Sequence, residues 1–298
     1  MLVYGKVLDW YNDRSIRTVS FVAIIFGCVF FYLEKGRNSH YMLLDVLRLR
    51  TIRLGVLLYL LLMIFNSSAM FVNVFTGIGM KLDNYQNATL GNWCMAGYAI
   101  GALSSMFLGS KGVHFKYLFA AGFLFLGLSA VFMYFEVQSA GLYERMKYPV
   151  IIRTTGMMFL YALTAAYATQ RMPYKYLSTW ICVMLTVRMV LGPSIGGAIY
   201  SNVLQERQQH YIVRYAQNVD MLHPEASASF IQTMQGMQYQ GKSKQEALNM
   251  AALSTKGRIQ VQATLSAVKE MAGWTIYGCL FCMIFVLIIP YPKRKLLT

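Results

Sequence analysis

Arg188 is the side chain in this sequence best placed to do chemistry. It lies near the middle of residues 177–203, an apolar run long enough to cross a bilayer, since ~20 residues rising ~1.5 Å each span a ~30 Å hydrocarbon core. A guanidinium at that depth is a permanent cation, strongly disfavoured unless it faces protein or water. Its helix is therefore expected inside a bundle, against a polar cavity or a partner. Two roles stay open for it: contact with substrate or coupling, or an orienting pair with an acidic group. Directly after it comes Gly192-Pro193-Ser194-Ile195-Gly196-Gly197, with little side-chain bulk and a proline that removes one helix hydrogen bond. Gly192, Pro193, Gly196 and Gly197 are read as a packing or hinge element.

Other polar groups fall inside apolar runs: Asn66, Asn73 and Asn202, with Arg153 and Glu270 nearer an outer edge. Intramembrane polar groups are functional candidates by default, so Asn66, Asn73 and Glu270 join Arg188 as candidates for a substrate pathway or coupling. Asn66 and Asn73 equally suit hydrogen bonding between helices. No Asp or Glu falls in mid-span, where a proton-coupled carrier would usually place one.

Enzymatic chemistry finds no foothold, and neither a metal nor a cofactor is expected. His40, His114, His210 and His223 are scattered over separate loops, without the spacing a metal needs. Cys279-Leu-Phe-Cys282 has CxxC spacing, but inside a membrane helix it reads as two small apolar side chains rather than a redox pair. No GxGxxG after a strand occurs. Asn87-Ala88-Thr89 is a formal glycosylation sequon.

The elements that must position these residues are long apolar blocks. Residues AVILMFWYC make up 57% of the chain and charged residues 13%, against about 25% charged in soluble domains. The chain reads as an all-α membrane protein. The net charge of +15 resides in short runs between apolar blocks, not in a stripe interleaved with aromatics, so nucleic acid is not an expected partner; the lipid bilayer is. Spans are predicted at 18–33, 54–78, 92–109, 117–135, 150–169, 177–203 and 273–291. The third carries Gly97, Gly101 and Ser105 one turn apart, which lets helix backbones approach closely. Residues 34–53 suit either a surface amphipathic helix or a plain loop. Residues 204–272 are polar with helical periodicity, breaking near His223-Pro224 and Gly241.

Short loops on one face carry twelve Lys and Arg, from Lys35 to Lys295; those on the other carry seven. The positive-inside rule puts the first face and the C-terminus in the cytoplasm, and 204–272 outside, in a multi-pass cell-membrane (inner-membrane) protein. Trp10, Trp93, Trp180 and Trp274 fall near span ends, as interfacial aromatics should. Four parts result: an outer-face tail (1–17), a six-helix bundle (18–203), an extracytoplasmic helical loop (204–272), and a last span with a basic tail (273–298).

In this order the chain resembles the carboxyl-terminal half of the 14-spanner drug:proton antiporters of the major facilitator superfamily, EmrB/QacA type. Gly5-Lys6-Val7-Leu8-Asp9-Trp10 resembles the GxxxDW segment before the eighth helix. Leu43-Leu44-Asp45-Val46-Leu47-Arg48-Leu49-Arg50 is similar to the family's P-(L/I)-(L/V)-D-L-x-L-F-(R/K)-x-R linker, with Met42 in place of the proline. Arg188-Met-Val-Leu-Gly192-Pro-Ser194-Ile-Gly196 resembles the R-x-L-(G/A)-G-S-I-G segment of the thirteenth helix, and Glu270 stands where that family has an acidic residue opening the last helix. The Gly-Pro run is also similar to the family's antiporter motif, which sits on the fifth helix; position here argues for a packing role.

The resemblance implies about seven spans forming one half of a major facilitator fold. It implies export of small amphipathic or cationic compounds against protons by alternating access. It also implies a missing amino-terminal half or a second polypeptide as partner, and a periplasmic adaptor as a further one. A truncated or half-length exporter is the first expectation. A non-transporting scaffold presenting 204–272 to a partner protein is the alternative.

Overall fold

The computed structural model describes residues 12–35, 46, 49–138, 141–170, 172–218 and 224–291. Among them are ten α-helices and no strand: α1 (Arg14–Lys35), α2 (Arg50–Asn66), α3 (Ala69–Val74), α4 (Asn84–Ser110), α5 (Phe115–Glu136), α6 (Lys147–Thr169), α7 (Leu177–Thr186), α8 (Gly192–Asn218), α9 (Pro224–Tyr239) and α10 (Lys244–Ile288). Lipid offers backbone groups no partner, so a spanning chain must close its hydrogen bonds within helices. Among the described residues five helical stretches are long and apolar enough to cross a membrane: Arg50–Gly79, Phe115–Glu136, Tyr143–Thr169, Tyr174–Gln217 and Lys244–Ile288. This is the architecture of an all-α, multi-pass membrane protein.

The count differs from the seven spans expected. The other two expected spans are helical as α1 and α4, but do not stand among these five. In α4 the apolar residues are diluted by Asn92, Gly97, Gly101, Ser104 and Ser105. The GxxxDW-like segment, most of the linker-like segment and the basic C-terminal run lie outside the described residues, as does most of 34–53.

The body is built on α5, α6 and α10, with α4 lying along α6, and α2 against α6 and α8. Phe119, Phe123, Phe159, Leu62 and Cys279 form the centre of one apolar cluster; Phe71, Phe75, Val268 and Ala272 form that of a second. Lipid tails are as apolar as these side chains, so their burial stabilises through close contact rather than through escape from water. The glycines show this. Gly97 and Gly101 turn to α6, where Thr155 Oγ1 donates to the Gly97 carbonyl at 3.2 Å. A Cβ at Gly101 would stand 2.5 Å from the Thr155 carbonyl oxygen. Cys279 and Cys282 are buried and free, one turn apart on α10.

Two spans are interrupted, and they meet. Between α2 and α3 the backbone tightens at Ser67-Ser68, and α3 ends in a π-helical turn, Phe75–Gly79. Between α7 and α8 lies a second π-helical turn, Val187–Leu191, closed by the Gly192 N–H donating to the Val187 carbonyl. Pro193, next in the chain, has no N–H to offer the preceding turn, which is a recognised cause of such wide turns and kinks. A Cβ on Gly192 would collide with Met63, and one on Gly196 with Ser67. The two glycines, one turn apart, thus seat the start of α8 on the end of α2.

The polar segment 204–272 is continuous with the spans on both sides. Position 203/204 falls inside α8 and 272/273 inside α10. At ~1.5 Å per residue the 45 residues of α10 run roughly twice the hydrocarbon thickness, so half must stand clear of it. The pair is tied by polar rungs: Tyr200 with Thr275 at 3.2 Å, Gln208 with Thr264 at 2.7 Å, and Tyr215 with Ser266 at 2.7 Å. Gly241, at φ +83°, turns the chain into α10, where Ser243 and Glu246 form a reciprocal cap. Of the tryptophans, Trp93 and Trp274 are exposed as interfacial residues should be. Trp180 is not: it is buried with Val46, Ile52 and Ala168, its ring over Gly55.

Candidate functional site

Arg188 sits on the π-helical turn between α7 and α8. That turn widens the helix just where the cation emerges, a common feature of functional sites in helices. Its guanidinium lies over the Tyr161 ring, 4.6 Å from the centroid, and Nη1 donates to the Tyr161 hydroxyl. Tyr161 packs in turn on Tyr59 of α2, ring centroids 5.2 Å apart. With Tyr98 of α4 and Met157 and Met158 of α6, Arg188 and Tyr161 line a cavity of about 390 Å³. Among the described residues no carboxylate lies within ion-pair distance of Arg188. The orienting acid that one reading required is not supplied by them.

The other candidates separate. Asn66, last residue of α2, accepts through Oδ1 from Arg153 Nη1 at 2.8 Å, and its carbonyl lies 3.5 Å from the same nitrogen. Cys94 and Tyr98 of α4 stand beside the same guanidinium. Asn73, on α3, is exposed. Glu270 stands apart on α10, its Oε1 3.5 Å from Arg207 Nε, where a second cavity of about 680 Å³ opens among Tyr134, Tyr211, Tyr215 and Trp274. Arg207 lies over Trp274 and Lys269 over Tyr134. Glu270 is thus one member of a charged and aromatic group where α8 and α10 leave the apolar part of the bundle. Gly192 and Gly196 lie in the contact between interrupted spans; a Cβ on Gly197 would meet nothing within 4 Å, and Pro193 is exposed.

Arg188 and Asn66 are therefore linked through α6 rather than directly. Arg153, Met157 and Tyr161 lie at four-residue steps and so form one stripe along it. Arg153 meets Asn66 at one end and Tyr161 meets Arg188 at the other. Tyr98, Met157, Met158 and Tyr161 were not singled out in the sequence. For Met157 and Tyr161 the signal is that stripe, whose polar members interrupt an apolar helix at helical spacing; Tyr98, on α4, and Met158 lie outside it. The sequon Asn87 is engaged within the fold, Oδ1 accepting from Thr76 Oγ1 at 3.0 Å.

Searches for relatives find no protein-family model and no curated protein that matches this chain.

Proposed function

We propose that this protein is a membrane transporter for small amphipathic molecules, in which this bundle works against a second bundle and the Arg188 cavity lies on the substrate path. The observation that carries the reading is the position of that cavity. A cation sits on a π-helical turn inside an interrupted span, against a second interrupted span, with aromatic and thioether side chains around it. Interrupted helices meeting inside the bilayer are how transporters free backbone and polar side chains to meet a substrate near the midplane. The remaining parts of the reading are about seven spans, a cytoplasmic C-terminus and proton-driven export of the major facilitator kind. They rest on loop charge and on the resemblance of the Arg188–Gly196 segment to that family.

The test is export. Arg188→Ala in the protein as it stands in its membrane should lower efflux of amphipathic dyes several-fold at equal membrane abundance. Unchanged efflux removes Arg188 from the path.

A further inference from the structure

We infer that the Arg188 cavity selects organic anions: monoanionic, flat, mostly apolar molecules such as aryl carboxylates or sulfonates. The inference rests on reading that cavity as the substrate site, and it fixes the sign of the charge the site accepts.

The argument begins with donors. A guanidinium carries five N–H groups and no acceptor. Arg188 gives one of them to the Tyr161 hydroxyl, and its Cζ lies 4.6 Å from the centroid of the same ring. Its remaining in-plane edge has no carboxylate, amide or carbonyl partner among the described residues. Guanidinium geometry matches a carboxylate or sulfonate through paired N–H bonds. Tyr161 engages the guanidinium through both its hydroxyl and its ring, so the cation is held in place before any ligand arrives.

The surroundings carry the same sign. Tyr98 lines the cavity and also lies beside the Arg153 guanidinium, which places a second cation next to the wall. Arg153 is held there by Asn66, an amide that leaves its charge intact. No lining residue is acidic. An entering cation would meet like charge in a medium that screens it poorly, whereas an anion would supply the counter-charge. The rest of the lining sets the shape. Tyr98 and Tyr161 offer ring faces, and Met157 and Met158 adapt to irregular apolar outlines. About 390 Å³ falls in the range of small-ligand sites and suits a fused bicyclic ring with one acidic group. A multiply charged or strongly hydrated anion would find one free fork and, beyond it, only neutral phenolic hydroxyls in that lining.

The experiment uses the full chain in lipid nanodiscs, with equilibrium dialysis of three matched probes: naphthalene-2-carboxylate, neutral naphthalene-2-carboxamide and cationic N-methylquinolinium. Saturable binding of the carboxylate, about tenfold or more tighter than either of the others, is expected, since losing a charge-assisted pair is worth roughly that factor. Arg188→Gln should abolish the preference while binding the carboxamide as before. Tyr98→Ala should weaken all three probes by a similar factor and keep the preference, which guards against a fold defect at position 188. Equal or tighter binding of the cation would overturn the inference. So would no saturable carboxylate binding, or a preference that survives Arg188→Gln. Binding is read without translocation: a charge-selective site in a chain that moves no dye overturns transport alone, and dye export with a cation-selective cavity overturns the anion inference alone.

Discussion

Gly101 and Gly91 sit on the same helix, α4, and alanine should destabilise at the first but not at the second. A Cβ at Gly101 would lie 2.5 Å from the Thr155 carbonyl oxygen, 3.2 Å from its carbon and 3.0 Å from Met158 Cβ. Ordinary carbon contacts are about 3.5–4.0 Å. The nearest obstruction is backbone of α6, which has no rotamer to move to, so α4 would have to withdraw by about 1 Å. A gap of that size forfeits a quarter to a half of each contact it opens, and overpacking of this kind costs about 1–3 kcal/mol. Alanine regains up to ~1 kcal/mol of helix propensity over glycine. Gly101→Ala should therefore destabilise the bundle by about 1–2 kcal/mol net. At Gly91 a Cβ would meet nothing within 4 Å, so only the propensity gain remains. Gly91→Ala should be neutral or stabilise by up to ~1 kcal/mol.

Reversible unfolding in mixed micelles, or steric trapping in bicelles, resolves differences of this size. Tyr98, one turn before Gly101 on α4, lines the Arg188 cavity, so the Gly101 variant should also loosen that cavity. Equal stability of the two alanine variants would show that α4 and α6 are not in backbone contact. The packing drawn from Gly97, Gly101 and Ser105 would then fail with it.

Two further outcomes follow from single contacts. Asn66→Ala should destabilise by about 2 kcal/mol, because it strips the Arg153 guanidinium of a charge-assisted bond; the Asn66→Ala/Arg153→Met double variant should be no less stable than Arg153→Met alone. A double-mutant cycle should show coupling of about 1–2 kcal/mol, and coupling near zero would refute the pair. At the start of α10, the Ser243 backbone N–H donates to Glu246 Oε2 at 3.1 Å and holds that carboxyl below the usual carboxylate range. A depressed folded value stabilises the cap above the unfolded carboxylate range and loses that contribution as pH falls through the folded one. Hydrogen exchange over the first turn of α10 should accelerate as pH falls through the carboxylate range, relative to intrinsic rates. Exchange as slow in acid as at neutral pH would exclude the reciprocal cap.

Much of the fold was legible because lipid makes it so. Helices are the cheapest way to span, apolar blocks mark them, and each expected span is helical in the structure. The small residues on α4 announced a close approach, and Gly241 announced a turn. The ends of the polar segment were not legible, because polarity marks where a helix leaves the membrane and not where it stops. Both α8 and α10 run through that change without a break: no proline falls there, and α10 carries Gly273 within its helix. Trp180 was misplaced for a related reason. Sequence gives its nearness to a span end but not its rotation, and rotation turns it onto Gly55. The site was half legible: a cation among apolar residues is conspicuous, whereas Tyr161 and Met157 look like ordinary members of an apolar helix until Arg188 is set against them.

The two intramembrane arginines can now be sorted by what each touches. Arg153 is bound by the Asn66 side chain, near the Asn66 carbonyl, at the very end of α2. Removing it leaves an amide and a helix end without their donor, as a structural cation should. Arg188 has one aromatic hydroxyl, one ring face and a cavity. A mid-span cation left with so few partners is sustained only by water or by something that enters with opposite charge. Its turn is also where the helix departs from α geometry, in the π-helical turn between Thr186 and Gly192. The same two features that make Arg188 costly to keep, sparse partners and irregular backbone, are those the proposed binding role draws on. That distinguishes it from Arg153 more firmly than depth in the membrane does.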